Sequence, residues 1–282
     1  MNGVVHLGQL VLAEILKLQS RTSARAGWLA LALLGALPPA FLAMMGDATV
    51  TAGGGPVQFD LSAANGVRWA LVVRNFYIAQ TFLLLLGAQS LAGEYQARTL
   101  REDLLRPVPR WAVLGAKWGA LSAWSGVAVA LQWVVAVVVS VLLLGSEGDA
   151  TWKAVFLGHL AAWLCDTSFA AVVLLASAAT RTATGTIAAV FLFVALDKFL
   201  GWILWIGKGI RDSLPLDVSE QVPAVVDWLL VASPYLPSRA WGIWSEVSLS
   251  EPPVLQSWLS LVGITLLAAL ATERIFARTD VP

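Results

Sequence analysis

The chain has 282 residues, of which 58% are hydrophobic and 13% charged, with a mean hydropathy of +0.76 and a formal net charge of zero. That is more apolar surface than a soluble domain of this length needs to fill its interior, so the composition excludes a water-soluble globular protein and indicates an integral membrane protein. The lone cysteine, Cys165, lies in an apolar run, which excludes an intramolecular disulfide framework.

Residues 4–19 are predicted to form an amphipathic helix lying on the membrane. Val4, Leu7, Val11, Ile15 and Leu18 recur at helical spacing, and Val5, Leu12 and Leu16 widen the stripe. His6, Gln9, Glu14 and Lys17 fall opposite, and Leu10 breaks the pattern. Lys17, Arg21 and Arg25 then fall at headgroup depth, as in an interfacial helix leading into a span. The other reading is a cytosolic extension of the first membrane helix.

A hydrocarbon core of roughly 30 Å needs about 20 helical residues, and lipid forces the backbone to satisfy its own hydrogen bonds. Six runs meet that length: about 28–45, 69–92, 113–144, 154–179, 184–206 and 254–276. The first is expected to be retained rather than cleaved as a signal, because a long segment precedes it and the run continues past Pro38-Pro39. That Pro pair is expected to kink or end the helix. Residues 46–66, with Gly53-Gly54-Gly55-Pro56, read as flexible punctuation. The short turn Thr180-Arg181-Thr182-Ala183 makes spans four and five antiparallel neighbours. The outer segment 207–253 carries Pro215, Pro223, Pro234 and Pro237 among acidic residues, with one short helix expected at 224–231. Trp202, Trp205, Trp228, Trp241, Trp244 and Trp258 gather there and read as an aromatic belt, with substrate binding as the alternative. No internal repeat or separate soluble domain is visible, so residues 1–282 are read as a single domain.

Orientation follows from Lys and Arg in the short flanks. With the N-terminus cytoplasmic, the inside segments carry Lys17, Arg21, Arg25, Arg98, Arg101, Arg106, Arg110, Lys117, Arg181, Arg274 and Arg278. The outside segments dilute Arg68, Lys153, Lys208, Arg211 and Arg239 with many carboxylates. Both termini are expected inside, in the cell (inner) membrane.

Ionisable groups within spans are expensive in lipid and normally face protein or water. Asp166 lies midway along span four, on one helical face with His159, and Arg74 near the outer end of span two is the opposite charge expected to meet it. These line a polar path or form a packing ion pair. Asp197 and Lys198 are adjacent, hence on different helix faces. Either span five ends near Phe199 and they are interfacial, or they face a cavity. Gln80, Gln89 and Gln132 read as interhelical hydrogen-bond partners.

Between spans two and three lies a compact charged patch, residues 93–111. Ala97, Leu100 and Leu104 share a helical face, Arg98, Arg101, Glu102 and Asp103 populate the rest, and Pro107 and Pro109 stop the helix. A short helix parallel to the membrane with mixed charge outward is a docking surface. Gly93-Glu94-Tyr95, Thr99-Leu100, the run from Leu104 through Arg106-Pro107 to Arg110, and Lys117 together resemble the signature of ABC-2 type transporter permeases. The resemblance spans the whole chain, and Ser233-Pro234 is similar to a dipeptide common in the family. Arg98 departs from it, standing where glycine usually precedes the threonine.

The resemblance implies an all-α fold of six transmembrane helices with an interfacial N-terminal helix and a cytoplasmic coupling helix between helices two and three. It implies the permease subunit of an exporter driven by separate ABC ATPase subunits that bind ATP and Mg, with a second permease copy as partner in a homodimer and membrane lipids around it. By carry-over, Glu94 fixes the end of span two against the coupling helix, Leu100 and Leu104 seat that helix, Arg101, Arg106 and Arg110 meet the ATPase or lipid phosphates, and Thr99 and Pro107 belong to the same docking segment. Taken singly, each arginine also reads as a snorkelling residue.

The chain carries no Gly-rich phosphate loop with Lys-Ser/Thr, no paired cysteines and no two-His metal spacing. It is therefore not expected to be an enzyme, to hold a metal or to bind nucleic acid. The rival readings are an ion-coupled secondary transporter using Asp166 and His159, and a polytopic lipid-modifying enzyme, for which no acid/base or metal groups gather at one face.

Overall fold

The computed structural model describes residues 2–45, 49–52, 55–58, 61–100, 108–145, 151–213, 235–248 and 255–278. The predicted helix at 224–231, Ser233-Pro234 and residues 101–107 lie outside the described residues. The fold is a helical bundle with one short hairpin. Its elements are α1 (Asn2–Ser20), α2 (Thr22–Met45), β1 (Thr49–Ala52), β2 (Gly55–Gln58), α3 (Ala63–Asn75) and α4 (Ile78–Ala97). They continue with α5 (Arg110–Leu143), α6 (Trp152–Thr180), α7 (Ala183–Ser213), α8 (Pro237–Ala240), α9 (Ile243–Ser248) and α10 (Leu255–Ala277).

Among these, α2, α5, α6, α7 and α10 are each long and apolar enough to cross a membrane, and α3 with α4, bent by 44° at their break, passes the same test as a pair and counts as a sixth where the pair is one span. The outward faces are what lipid requires. Leu29, Leu33, Leu37, Phe41 and Met44 form an exposed stripe at three- and four-residue spacing along α2, and Leu255, Leu259, Val262, Leu266 and Leu270 do the same on α10. Contiguous apolar stripes of this extent are untenable in water and match a hydrocarbon solvent.

α1 is helical as expected, but its inner face differs from the one polarity suggests. Leu18 and the carboxylate-bearing Glu14 are buried, whereas Leu12 and Leu16 are exposed. The helix packs on α5, where Gly115 and Gly119 sit opposite Leu7 and Val11 and let the two backbones approach. Leu10, which broke the sequence pattern, belongs to the partly covered face.

α2 runs through Pro38 and Pro39 to Met45 without ending. Both prolines are buried, and Gly35 packs so tightly on α5 that a Cβ there would lie 2.6 Å from the Gln132 carbonyl oxygen. Neighbouring helices can accommodate the freed carbonyls of a proline in a span. The segment after α2 contains the antiparallel pair β1–β2 where the sequence suggested only a flexible loop.

The break in span two falls at Phe76–Tyr77, with Tyr77 in the left-handed region (φ 63°). α3 itself starts at Ala63, earlier than the predicted Trp69, because Ser62 caps it by accepting from the Asn65 amide at 3.2 Å.

α6 is the central helix, in contact with α3, α4, α5, α7, α9 and α10. Residues 235–248, the described part of that segment between α7 and α10, pack on the bundle. α8 and α9 fold back against α6, with Ala240 and Ile243 buried and the Cys165 thiol 3.6 Å from the Ala240 carbonyl, about 20 Å along α6 from Trp152. Trp241 consequently packs against Phe169 (ring centroids 5.3 Å apart) and Phe193 (6.2 Å). Trp241, Trp244 and Trp258 pack, half-buried, against the cluster of Ala161, Cys165, Ala240 and Ile243, while Trp202 is exposed. Other indoles staple helices together: Trp28 donates to the Trp124 carbonyl at 3.1 Å and Trp124 to that of Ala24 at 3.2 Å.

Candidate functional site

Ion pairs among the described residues gather in two places, one at the junction between spans two and three and one around Arg74 and Asp166. At the junction, α4 passes through a π-helical turn at Ala88–Ala92 and ends at Ala97. Glu94, one turn from that end, is buried, and its Oε2 accepts from Lys117 Nζ at 2.7 Å. Lys117 also donates to Glu14 Oε2 at 3.1 Å. Lys17 closes the set, at 2.9 Å from Glu14 and 3.7 Å from Glu94. Two carboxylates and two ammonium groups from α1, α4 and α5 thus form one neutral network around the fully buried Lys117 side chain. A lysine inside an apolar span has to be compensated, and that requirement places Glu14 on the inner face of α1.

Neighbouring residues tie the same junction to the remaining elements. Gln96 Oε1 accepts from the Ala183 amide at 3.2 Å, satisfying one of the orphan donors that open α7. Arg110 Nη1 donates to the carbonyls of Phe276 and Ala277, both at 3.0 Å, so its guanidinium caps the last helix. Tyr95 meets Phe276 edge-on, with ring centroids 6.2 Å apart.

The chain leaves α4 through Arg98, which adopts φ 59°, and Thr99 N–H returns to the Glu94 carbonyl at 3.1 Å. This left-handed corner turns Ala97 outward and drives Leu100 fully into the core with Leu91, Tyr95 and Phe276. Ala97 and Leu100 therefore do not share a face, and Leu100 is not presented to a partner. Arg101, Leu104, Arg106 and Pro107 lie outside the described residues. The corner also accounts for the glycine preferred at position 98, since a left-handed residue with a Cβ costs roughly 1–2 kcal/mol. Arg98→Gly is accordingly expected to stabilise the protein by about 1 kcal/mol, seen as a raised unfolding midpoint of the purified chain in detergent. A lowered midpoint would mean that Arg98 makes contacts worth more than the strain.

At the second of these places, Arg74 Nη2 and Asp166 Oδ2 form an ion pair with both side chains fully buried. Ser125 Oγ donates to the same carboxylate oxygen, and Arg74 Nη1 donates to Asn75 Oδ1 at 2.7 Å. The pairing expected from the sequence is thus present. His159 is buried on the same helix, but its Nδ1 faces the Val155 carbonyl at 2.8 Å, so it is held by α6 itself.

α7 continues unbroken past Phe199, so Asp197 and Lys198 do not mark its end. They diverge as adjacent helical residues must. Asp197 is buried, with neither carboxylate oxygen hydrogen-bonded among the described residues, and Lys198 extends over the Tyr77 ring, its Nζ 5.6 Å from the centroid. Beside them is a cavity of about 300 Å³ lined by Asn75, Tyr77, Gln80, Lys198, Trp241 and Trp244 among others. A second, of about 330 Å³, shares Tyr77, Gln80 and Lys198 with it and runs on to Leu84, Val190 and Phe191. Gln89 bridges to Arg21 (3.5 Å) and Ser23 (3.4 Å), whereas Gln132 has no hydrogen-bond partner among the described residues. No group of three or more His, Cys, Asp or Glu able to hold a metal occurs among the described residues.

The residues missed from the sequence are Glu14 as an inner-face charge, Gln96 as a cap, and Asn75 and Tyr77 at the bend. Only Glu14 had a findable signal, the uncompensated Lys117 within a span.

Apolar spans with charge sequestered among them, joined by a braced corner, are the build of a multi-pass membrane protein. The family model for the ABC-2 family transporter proteins matches residues 19–281, and the chain belongs to that family. No curated protein matches it. Membership makes the chain the membrane subunit of an ABC transporter, a kind of subunit that partners ABC ATPases.

Proposed function

We propose that this permease is an exporter subunit in the cell (inner) membrane, with both termini cytoplasmic, driven through residues 93–111 by ABC ATPase subunits that bind ATP and Mg. The observation that carries this reading is the bracing of the span two–span three junction. Glu94 joins it to α1 and α5, Gln96 to α7, and Arg110 to α10. A force applied there reaches every element it is bonded to, and rigid helices that rock as bodies need such a handle. Both permease and ATPase act as pairs in this reading. The exposed apolar face of α7, with Phe191, Leu192, Leu196, Phe199 and Leu200, supports a second copy beside it. Arg74, His159, Asp166, Asp197 and Lys198 border the path or hold its walls.

Since Leu100 is buried in the permease's own core, contact with the ATPase is assigned to Arg101, Leu104 and Arg106. Arg101→Glu, Leu104→Asp and Arg106→Glu combined are expected to abolish co-purification of the ATPase while leaving the permease's yield and unfolding midpoint unchanged. Leu100→Asp, by contrast, is expected to reduce yield. An ATPase that stays bound to the triple variant would remove the docking assignment.

A further inference from the structure

The groove between the bend of span two and α7 has a chemistry that names its occupant. Its head end lies where Lys198 stands over Tyr77. Lys198 is exposed and makes no ion pair among the described residues. The nearest carboxylate in sequence, Asp197, is buried on the adjacent helix face; its charge acts on Lys198, but the two form no ion pair among the described residues. Asn75 lines the same cavity, and its orientation is set: Oδ1 accepts from Arg74, which leaves the buried Nδ2 as a donor without an acceptor. Gln80, also on this wall, has its buried Oε1 unpartnered. A cation, a fixed amide donor and an amide acceptor therefore converge on one cavity, enclosed by the rings of Tyr77, Phe169, Trp241 and Trp244.

From that head end the adjoining cavity runs along Leu84, Val190, Phe191 and Phe169, which are all apolar. Along α7, Lys198 stands roughly 22 Å and Val190 roughly 10 Å from the Ala183 end, at 1.5 Å per residue. The two cavities thus place a polar head toward the outer side and an apolar track toward the bilayer centre. Each is within the size of sites that enclose small ligands.

We infer that this groove binds an amphiphile with an acidic head, a carboxylate or a phosphate, whose anionic oxygen sits between Lys198 Nζ and Asn75 Nδ2 while its chain lies along Leu84 and Val190. This rests on the transport reading and names the substrate class for it. The ammonium and the amide select for the anion, the rings take up the carbons next to it, and Gln80 accepts from any hydroxyl it carries. A neutral or cationic head gives Lys198 no ionic partner, and one without an acceptor oxygen leaves the buried Asn75 Nδ2 unsatisfied, which disfavours it.

The test measures binding of cis-parinaric acid, a fluorescent carboxylate chain, and of its methyl ester to the purified full-length permease in a neutral detergent, with no ATPase present. The acid is expected to bind about tenfold more tightly than the ester, and Lys198→Gln to remove that preference while leaving the ester's affinity unchanged. Lys198→Arg should retain it, and Lys153→Gln, away from the groove, should have no effect. Dodecyl phosphate should displace the acid, whereas inorganic phosphate and dodecanol, offering head or chain alone, should not. Equal affinities for acid and ester, or a Lys198→Gln protein that binds like wild type, would overturn the inference. Displacement by inorganic phosphate would reduce the site to a free-anion site and overturn the amphiphile. None of these outcomes bears on ATPase docking, which the triple variant in residues 101–106 tests separately.

Discussion

Asp166→Ala is expected to destabilise the protein by about 3–5 kcal/mol, because it strands the Arg74 guanidinium in a dry interior. Both side chains of the pair are wholly inaccessible, and the carboxylate is shared with Ser125, so no solvent is available to take over. The paired replacement Arg74→Leu with Asp166→Leu should recover most of the loss, since an apolar pair of similar volume is often as stable as a buried ion pair. Unfolding midpoints of the three purified proteins in one detergent provide the comparison. A single variant as stable as wild type would show that the pair is not dry. The double variant also separates two roles for these charges. If it folds and still supports ATP-driven transport, Arg74 and Asp166 are structural. If it folds and transports nothing, they belong to the path, and a gradient-driven mechanism through Asp166 regains ground.

The second large effect is expected at Lys117. Lys117→Met leaves the carboxylates of Glu14 and Glu94, both buried, facing each other with Lys17 as their remaining counter-charge among the described residues. The loss should again be about 3–5 kcal/mol, the usual result of removing one partner from a buried charge set. Lys117→Arg should retain part of that stability, and Glu94→Gln should be milder than Lys117→Met because it removes charge without stranding any. Detergent unfolding measures the first comparison. Coupling is read from transport per ATP hydrolysed, which should collapse for Lys117→Met even at temperatures where the protein remains folded. Tight coupling in a folded Lys117→Met protein would remove the network from the mechanism.

The spans were legible because length and apolarity are enough to specify a helix in lipid. The partnership of Arg74 with Asp166 was legible for a related reason. Charges are rare in apolar runs, and two opposite ones at matching depth have few alternatives to each other. What was not legible depended on distant partners. Polarity alone sends Glu14 outward. Its burial follows from Lys117, 103 positions away in sequence, which no periodicity of α1 contains. The bend at Tyr77 carries neither proline nor glycine, so the usual marks of a kink are missing there. Trp241 reads the same whether it lies in a headgroup layer or against Phe169, because composition distinguishes neither. Leu100 was assigned its face by counting along an uninterrupted helix, and the left-handed turn at Arg98 resets that count.

The bend in span two has a geometric outcome of its own. Its outer piece, α3, is riveted to α6 through Arg74, whereas its inner piece, α4, ends in the Glu94 network. In the coupling proposed above, a pull on the Glu94 end of α4 with α3 held at Asp166 would turn the span about Tyr77. Lys198 lies over the Tyr77 ring, so small swings of α4 would widen or pinch the space beside the ammonium while leaving α3 still.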